Sequence, residues 1–254
     1  MKDRALALAG AGALTLAACG GDEGGAGASG SDAGGGTGEP IYANTTEPEN
    51  PLIPTNTGEV GGGRIITMIF AGLVYYKADG SIENDIAESI ESEDNQNWTI
   101  KIRSGLTYSD GSTPITAQDF VDSWNYGANA ANAQIGQYFF EPFEGYEELS
   151  AEGVAADATL SGLEVVDDTT FTVRLVSPQS DFPTRLGYSA YMPMPPSAFD
   201  DMEAYGEAPL SNGPYMLDSW THDQEIVLVP NENYDGGRTV ENDGVTFVVY
   251  ADPE

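Results

Sequence analysis

The side chains that could carry catalysis are few in this chain. It has one Cys and one His among 254 residues, whereas a catalytic triad or a Cys- or His-rich zinc site needs several such groups together. His222 lies in the turn-like run Trp220-Thr221-His222-Asp223, and no Gly-x-Ser-x-Gly nucleophile motif is present. The sequence therefore predicts an exposed turn residue at position 222, and it assigns no catalytic residue.

Two further motifs approach a ligand-binding pattern without completing it. The run Asn231-x-Asn233-x-Asp235-Gly236 has the spacing of the first half of a calcium loop, but position twelve is Asn242 instead of a bidentate Glu. The run Gly61-Gly62-Gly63-Arg64 lacks the Gly-Lys-Ser/Thr ending of a phosphate loop. We interpret the first motif as a polar turn after a strand, and the sequence predicts neither a metal nor a cofactor.

The charge balance narrows the classes of partner. Lys and Arg number 9 against 41 Asp and Glu, so the formal net charge is −32. Such a field repels phosphate backbones, which excludes nucleic-acid binding. Abundant carboxylates leave a secreted acidic hydrolase as an alternative function, although no single pair of acids is informative.

The N-terminus has the features of an export signal. A short charged start is followed by the uncharged, mostly apolar stretch Ala5 to Ala18, which is too short to span a bilayer and fits a signal peptide. The run Leu16-Ala17-Ala18-Cys19 resembles the lipobox of bacterial lipoproteins, in which the Cys receives a lipid. We expect a signal peptide over residues 1–18 and lipid attachment at Cys19; an ordinary cleaved signal with an incidental Cys is the alternative. Residues 19–39, rich in Gly, predict a flexible tether.

From residue 41 onward, patterns typical of strands and helices alternate. Period-two alternation predicts a strand over 98–103, with Trp98, Ile100 and Ile102 on one face. The capping pattern Thr116-x-x-Asp119 predicts a helix over 117–131, and a second helix is expected over 64–71. The remaining strands are expected at 41–44, 73–77 with 81–82, 163–166 with 169–176, 213–220 with 225–229, and 245–250. The fold class is therefore α/β, with α+β mixed sheets.

Three stretches, each with one of the three Trp residues, carry a family resemblance. They are Trp98 to Leu106 followed by Asp110-Gly111, Pro114 to Trp124, and Ser211-Asn212-Gly213-Pro214-Tyr215 through Tyr234. In order and spacing they resemble the signature segments of solute-binding protein family 5, the peptide-binding class of ABC importers. The resemblance implies the N-terminal part of a periplasmic-binding-protein-like type II fold over residues 40–254, in which two lobes close over a ligand.

The resemblance also implies a function and a site. It points to an extracytoplasmic, monomeric lipoprotein that captures oligopeptides or dipeptides for an ABC permease and ATPase, either on the outer face of the cytoplasmic membrane or in the periplasm. The loop after the first strand contacts the ligand in this family, which suggests Thr57, Gly58, Glu59, Val60 and Gly61. Asn212 and Gly213 are weaker candidates. A surface adhesion lipoprotein is a further alternative, and nickel is disfavoured by the single His.

The family's proteins are much longer than this chain. Their third region supplies much of the opposite lobe and the acidic residue that holds a peptide's α-amine. We therefore interpret the sequence as the N-terminal portion only, and expect it to bind peptide weakly or not at all by itself.

Overall fold

The computed structural model describes residues 38–250, which belong to one compact unit. The expected signal peptide, the lipid-attachment residue Cys19 and the expected tether up to residue 37 lie outside the described residues. Within residues 38–250, no helix combines the length and the apolar character needed to cross a bilayer.

The described chain forms two four-stranded sheets and one two-stranded ribbon. The strands are β1 (Ile41–Thr45), β2 (Val74–Tyr76), β3 (Ile82–Asn84), β4 (Ala87–Glu91), β5 (Asn97–Ile102), β6 (Leu163–Asp167), β7 (Thr170–Arg174), β8 (Tyr215–Thr221), β9 (Glu225–Pro230) and β10 (Val245–Val249). Sheet one has the order β1-β10-β9-β8; β1 runs parallel to β10, and the other pairs are antiparallel. Sheet two has the order β4-β5-β7-β6 and is antiparallel throughout.

Five α-helices and several 3-10 turns connect these strands. The helices are α1 (Val60–Ile69), α2 (Ala117–Ala128), α3 (Tyr146–Leu149), α4 (Phe182–Arg185) and α5 (Met202–Glu207). The 3-10 turns are Pro54–Asn56, Ala130–Asn132, Ile135–Phe140, Ser189–Tyr191 and Pro196–Phe199. The prediction of an α/β class with mixed sheets is confirmed.

The larger core lies between sheet two and α2. Trp98, Ile100 and Ile102 of β5 are all buried, which confirms the predicted alternation. The indole of Trp124 on α2 is fully buried, and its Nε1 donates to the Tyr191 carbonyl at 3.0 Å. The rings of Phe143, Phe171 and Tyr191 lie edge to face against the Trp124 indole, with centroids 5.4 to 5.6 Å away. Such contacts stabilise the core beyond the burial of apolar area alone.

The predicted start of α2 is confirmed and its predicted end is wrong. Asp119 Oδ2 accepts the Thr116 backbone N–H at 3.0 Å, as the capping pattern requires. The helix ends at Ala128 because Asn129 leaves helical geometry at φ −77° and ψ 118°. The Asn129 side chain then caps the next 3-10 turn through Ala131 N at 2.9 Å. Asn favours such local side-chain bonds over continuing a helix.

Helix α1 begins four residues before the predicted Arg64 and ends at Ile69 instead of Ala71. Glu59 caps it by accepting the Gly62 N–H at 2.7 Å. Gly61 is buried, and a Cβ added there would stand 2.6 Å from the Thr46 carbonyl oxygen. The absence of a side chain at Gly61 lets the first turn of α1 pack closely against Thr46. The predicted loop of residues 57–61 therefore ends at Glu59, and residues 60 and 61 are helical.

A second core lies between α1 and sheet one. Ile65, Ile66 and Ile69 of α1 pack with Ile226 and Leu228 of β9, and all five are fully buried. Burial of one whole helix face against a sheet anchors α1 along its length.

Candidate functional site

The predicted ligand-contact segment lies at the N-terminus of α1. Glu59 is the N-cap, and Val60 and Gly61 form the first turn. The Val60 side chain is 69% exposed, whereas Gly61 is buried. The first N–H groups of a helix have no partner within it, and Glu59 accepts that of Gly62. Because Gly61 and Gly62 are buried, Gly58 and Val60 are the residues of this segment that are most open to a ligand.

A second segment, which sequence reasoning missed, lies against this one. The Ile135 N–H donates to Asn56 Oδ1 at 3.2 Å, and a Cβ on Gly58 would lie 3.0 Å from the Ile135 side chain. Ile135 is itself 48% exposed. The 3-10 turn Ile135–Phe140 therefore continues the surface of the predicted loop.

Exposed aromatic rings extend this surface beyond the 3-10 turn. Tyr138 stacks on Phe139 at 4.4 Å, Phe139 lies 4.9 Å from Tyr188, and Tyr188 meets Tyr76 at 6.2 Å between ring centroids. Tyr138 and Tyr188 are each more than half exposed. We call these four residues the aromatic row. Contiguous exposed apolar surface of this kind marks binding sites on soluble proteins.

The aromatic row could be found only in part from the sequence. Tyr138 and Phe139 are adjacent in the sequence and visible there as aromatic neighbours, but Tyr76 and Tyr188 come from distant parts of the chain. Only the tertiary fold brings them together.

Asn212 and Gly213 lie at the other end of α1. The Asn212 amide pairs with both the N–H and the carbonyl of Ala71 at 3.0 Å, and Gly213 N donates to the Ile69 carbonyl at 2.7 Å. Asn212 is 1% exposed. Helix α1, about 15 Å long at 1.5 Å per residue, separates these residues from Thr57 to Gly61. Their predicted ligand contact stays a prediction, with no exposed side chain to support it.

A buried ion pair fixes the C-terminal end of α1. Arg238 Nε donates to Asp85 Oδ2 at 3.0 Å, and its Nη1 and Nη2 donate to the carbonyls of Thr67 and Phe70 at 2.6 and 2.8 Å. Tyr234 donates its hydroxyl to Asp85 as well, and burial raises the pKa of Tyr234 to about 12. This ion pair joins the segment after β9, the connection between β3 and β4, and the end of α1. It therefore orients the helix that carries the predicted site.

The residues first considered for catalysis and calcium have other partners. His222 lies in the β8–β9 turn, as predicted, with its ring nitrogens 2.8 Å from Glu47 and 2.9 Å from Glu207. Hydrogen bonds to these carboxylates raise its pKa. Asn231 ends β9 in a polar turn, also as predicted, and donates to the Gly213 carbonyl at 2.8 Å. Among residues 38–250, no three or more His, Cys, Asp or Glu side chains are grouped to hold a metal ion.

Comparison with known proteins identifies the family. Residues 81–254 match the sequence profile of the bacterial extracellular solute-binding proteins, family 5. The chain belongs to this family. It is 31% identical over 194 residues to the oligopeptide-binding protein OppA of Bacillus subtilis, covering 74% of this chain and 35% of OppA. It is 30% identical over 211 residues to YgiS of Escherichia coli, a probable deoxycholate-binding periplasmic protein, covering 78% of this chain and 38% of YgiS.

A solved structure of the family has the same fold. Haemophilus influenzae OppA in complex with the peptide RPPGFSPFR superposes with a TM-score of 0.76 at 26% identity, covering 84% of this chain and 42% of that one. Members of this family are substrate-binding proteins, not enzymes. The chain spans about a third of the length of the curated relatives described above.

Proposed function

We propose that this chain supplies part of the ligand-binding surface of a peptide-capturing protein of an ABC importer, anchored outside the membrane through a lipid on Cys19. The protein would act as a monomer, hold an extended peptide between two lobes and deliver it to a membrane permease and its ATPase. Capture would proceed by a shift between open and closed forms, to which the peptide adds differential contacts.

One observation carries the proposal: the loop before α1 lies directly against the 3-10 turn that carries Tyr138 and Phe139, because the Ile135 N–H donates to Asn56 Oδ1 at 3.2 Å. An extended peptide offers main-chain groups at every residue and side chains of any kind, so it suits a surface that combines backbone donors with rings. Val60 at the start of α1 and Ile135 at the start of the 3-10 turn are both exposed. A peptide lying on this surface would contact both.

A deoxycholate-like ligand is the second candidate, because the relative YgiS is described as binding it. Deoxycholate is an anion with a large apolar face, which the aromatic row would accept. The formal net charge of −32 disfavours any anion by long-range repulsion. A peptide carries a positive α-amino group at one end and a negative carboxylate at the other, so the negative protein repels it less than it repels deoxycholate. We therefore favour a peptide ligand.

Two pairs of matched variants test the proposal by isothermal titration with RPPGFSPFR. Val60→Glu is compared with Val166→Glu, since both valines are more than half exposed but Val166 lies on β6. Tyr138→Ala is compared with Tyr42→Ala on β1, another exposed tyrosine. The protein is the chain fused to the C-terminal portion of a family 5 relative, because the chain alone is expected to bind weakly.

We expect Val60→Glu and Tyr138→Ala each to weaken binding about ten-fold or more, which corresponds to a loss of about 1.4 kcal/mol. The two control variants should bind as the unchanged protein does. Equal effects of the site and control variants would contradict the proposal, and tighter binding of deoxycholate than of peptide would favour the second candidate.

A further inference from the structure

A pocket unrelated to the predicted ligand surface lies where the two cores meet. Its volume is about 510 Å³, within the range of small-molecule sites, which are often found at such seams. We call it the seam pocket. Helix α2, the 3-10 turn that follows it, the loop before β6 and the 3-10 turn at Pro196 supply its lining: Asp122, Asn125, Tyr126, Asn132, Ala156, Asp157, Ala158, Thr159, Pro196 and Phe199.

The lining of the seam pocket combines aromatic rings with negative charge. Tyr126 and Phe199 meet at 5.6 Å with their planes at 60°, so they present two differently oriented faces. Asp122 and Asp157 supply carboxylates, and no Lys, Arg or His is present in the lining. Ring faces attract cations, most strongly where water is partly excluded, and the carboxylates add direct charge attraction.

The walls of the seam pocket are held by internal hydrogen bonds. Asn125 Oδ1 accepts the Leu160 N–H at 2.8 Å, and Asn132 Nδ2 donates to the Tyr126 carbonyl at 2.9 Å. The buried Asn129 donates to the Ala155 and Ala158 carbonyls at 2.9 and 3.2 Å. The loop that carries Asp157 is thus tied to α2 on both sides. A preformed pocket loses little of its binding energy to ordering.

We propose that the seam pocket binds a small quaternary ammonium compound. The methylated nitrogen would lie against the Tyr126 and Phe199 rings, with Asp122 and Asp157 balancing its charge. A quaternary nitrogen needs no hydrogen-bond acceptor, so charge and ring contact are sufficient for recognition. This site shares no residue with Thr57 to Gly61 or with the aromatic row, so it does not depend on the proposed peptide function.

Choline and its uncharged isostere 3,3-dimethylbutan-1-ol provide a matched pair of probes. Each is titrated into ¹⁵N-labelled chain at constant ionic strength, adjusted with NaCl, and amide shifts are followed. We expect choline to shift the amides of Asn125, Tyr126 and Phe199 with a Kd of about 1 to 10 mM. The uncharged isostere should bind at least about ten-fold more weakly, since it lacks the cation.

Two variants in the seam pocket and one control variant elsewhere make the test decisive. Asp157→Asn changes an exposed loop carboxylate and should weaken choline binding about three- to ten-fold, while Asp218→Asn, an exposed carboxylate on β8, should have no effect. Phe199→Leu removes one ring and should weaken choline binding more than it weakens the isostere. Equal binding of choline and the isostere would overturn the proposal. So would choline shifts spread over the acidic surface, or equal effects of Asp157→Asn and Asp218→Asn.

Discussion

Arg238 forms an ion pair with Asp85, a residue 153 positions earlier in the chain, at 3.0 Å. The Asp85 side chain is fully buried and the Arg238 side chain is 22% exposed. The same guanidinium donates to the last carbonyls of α1, where a positive charge also favours the helix dipole. One side chain thereby joins Asp85, between β3 and β4, to the end of the helix that carries the predicted ligand contacts.

Removing this arginine should destabilise the protein strongly. Arg238→Ala leaves the Asp85 carboxylate buried without its cation, which costs about 3 to 5 kcal/mol of unfolding free energy. Arg174→Ala is the control, because the side chains of Arg174 and its partner Glu144 are 61% and 38% exposed, and ion pairs open to solvent contribute about 0 to 1 kcal/mol. Urea unfolding measures both. A similar small loss for the two variants would show that Arg238 does not anchor α1.

Two glycines of α1 should respond oppositely to alanine. At Gly61 a Cβ would stand 2.6 Å from a backbone oxygen of Thr46, whereas at Gly63 it would meet nothing within 4 Å. We expect Gly61→Ala to cost about 1 to 3 kcal/mol. Gly63→Ala should gain about 0.5 to 1 kcal/mol, since alanine favours the helix. Thermal unfolding of both variants checks this, and a gain in both would show that Gly61 does not pack closely against Thr46.

The Glu47–His222–Glu207 cluster should make stability pH-dependent near neutrality. Its hydrogen bonds raise the folded-state pKa of His222 above the ordinary 6.5. The stabilising contribution is then fully present below about pH 6.5 and is lost as the pH rises through the folded-state pKa. His222→Gln should flatten the urea midpoint over this window. An unchanged pH profile would contradict the assignment.

Asp119 should produce a second pH dependence, in a more acidic window. Burial raises its pKa from 3.8 to about 6, against the opposing effect of hydrogen bonds from Thr116 and Tyr108. Between about pH 4 and 6 the unfolded chain ionises first, so stability falls with rising pH, by at most about 1.4 kcal/mol per pH unit. Asp119→Asn keeps the cap acceptor and should remove this slope. A slope that persists in the variant would assign it to other carboxylates.

The predicted lipid anchor can be checked on the exported protein. Cells that express the chain are grown with a radiolabelled fatty acid, and the protein is recovered. We expect label on the unchanged chain and none on Cys19→Ser. An unchanged chain with no label would favour the alternative of an ordinary cleaved signal peptide. A Cys19→Ser protein that is still labelled would contradict lipid attachment at Cys19.

Elements were predictable wherever a local pattern determined them. The alternation of Trp98, Ile100 and Ile102 indicated β5 because one sheet face is buried, and Thr116 with Asp119 indicated the start of α2. The start of α1 was missed because three consecutive glycines read as a loop, whereas packing against Thr46 requires a residue without a side chain at position 61. Long-range pairing, such as β1 parallel to β10, leaves no local pattern to read.

Only the part of the candidate site that is contiguous in the chain could be predicted from the sequence. The family resemblance indicated residues 57–61, but the neighbouring turn at Ile135 and the aromatic row depend on tertiary contacts. Likewise, Asn231 was read correctly as a turn residue, yet its bond to the Gly213 carbonyl could not be inferred from spacing.

The proposed function requires that the start of α1 and the aromatic row together form a peptide-binding surface. Photo-crosslinking tests it most directly, because it captures weak complexes: RPPGFSPFR with benzoylphenylalanine in place of one Phe is irradiated with the chain, and adducts are mapped by mass spectrometry. We predict adducts at residues 57–60 and 135–139 and at Tyr188, suppressed by excess unlabelled peptide. Adducts confined to the exposed face of sheet two, such as Glu164 or Thr172, or adducts that excess peptide does not suppress, would contradict the claim.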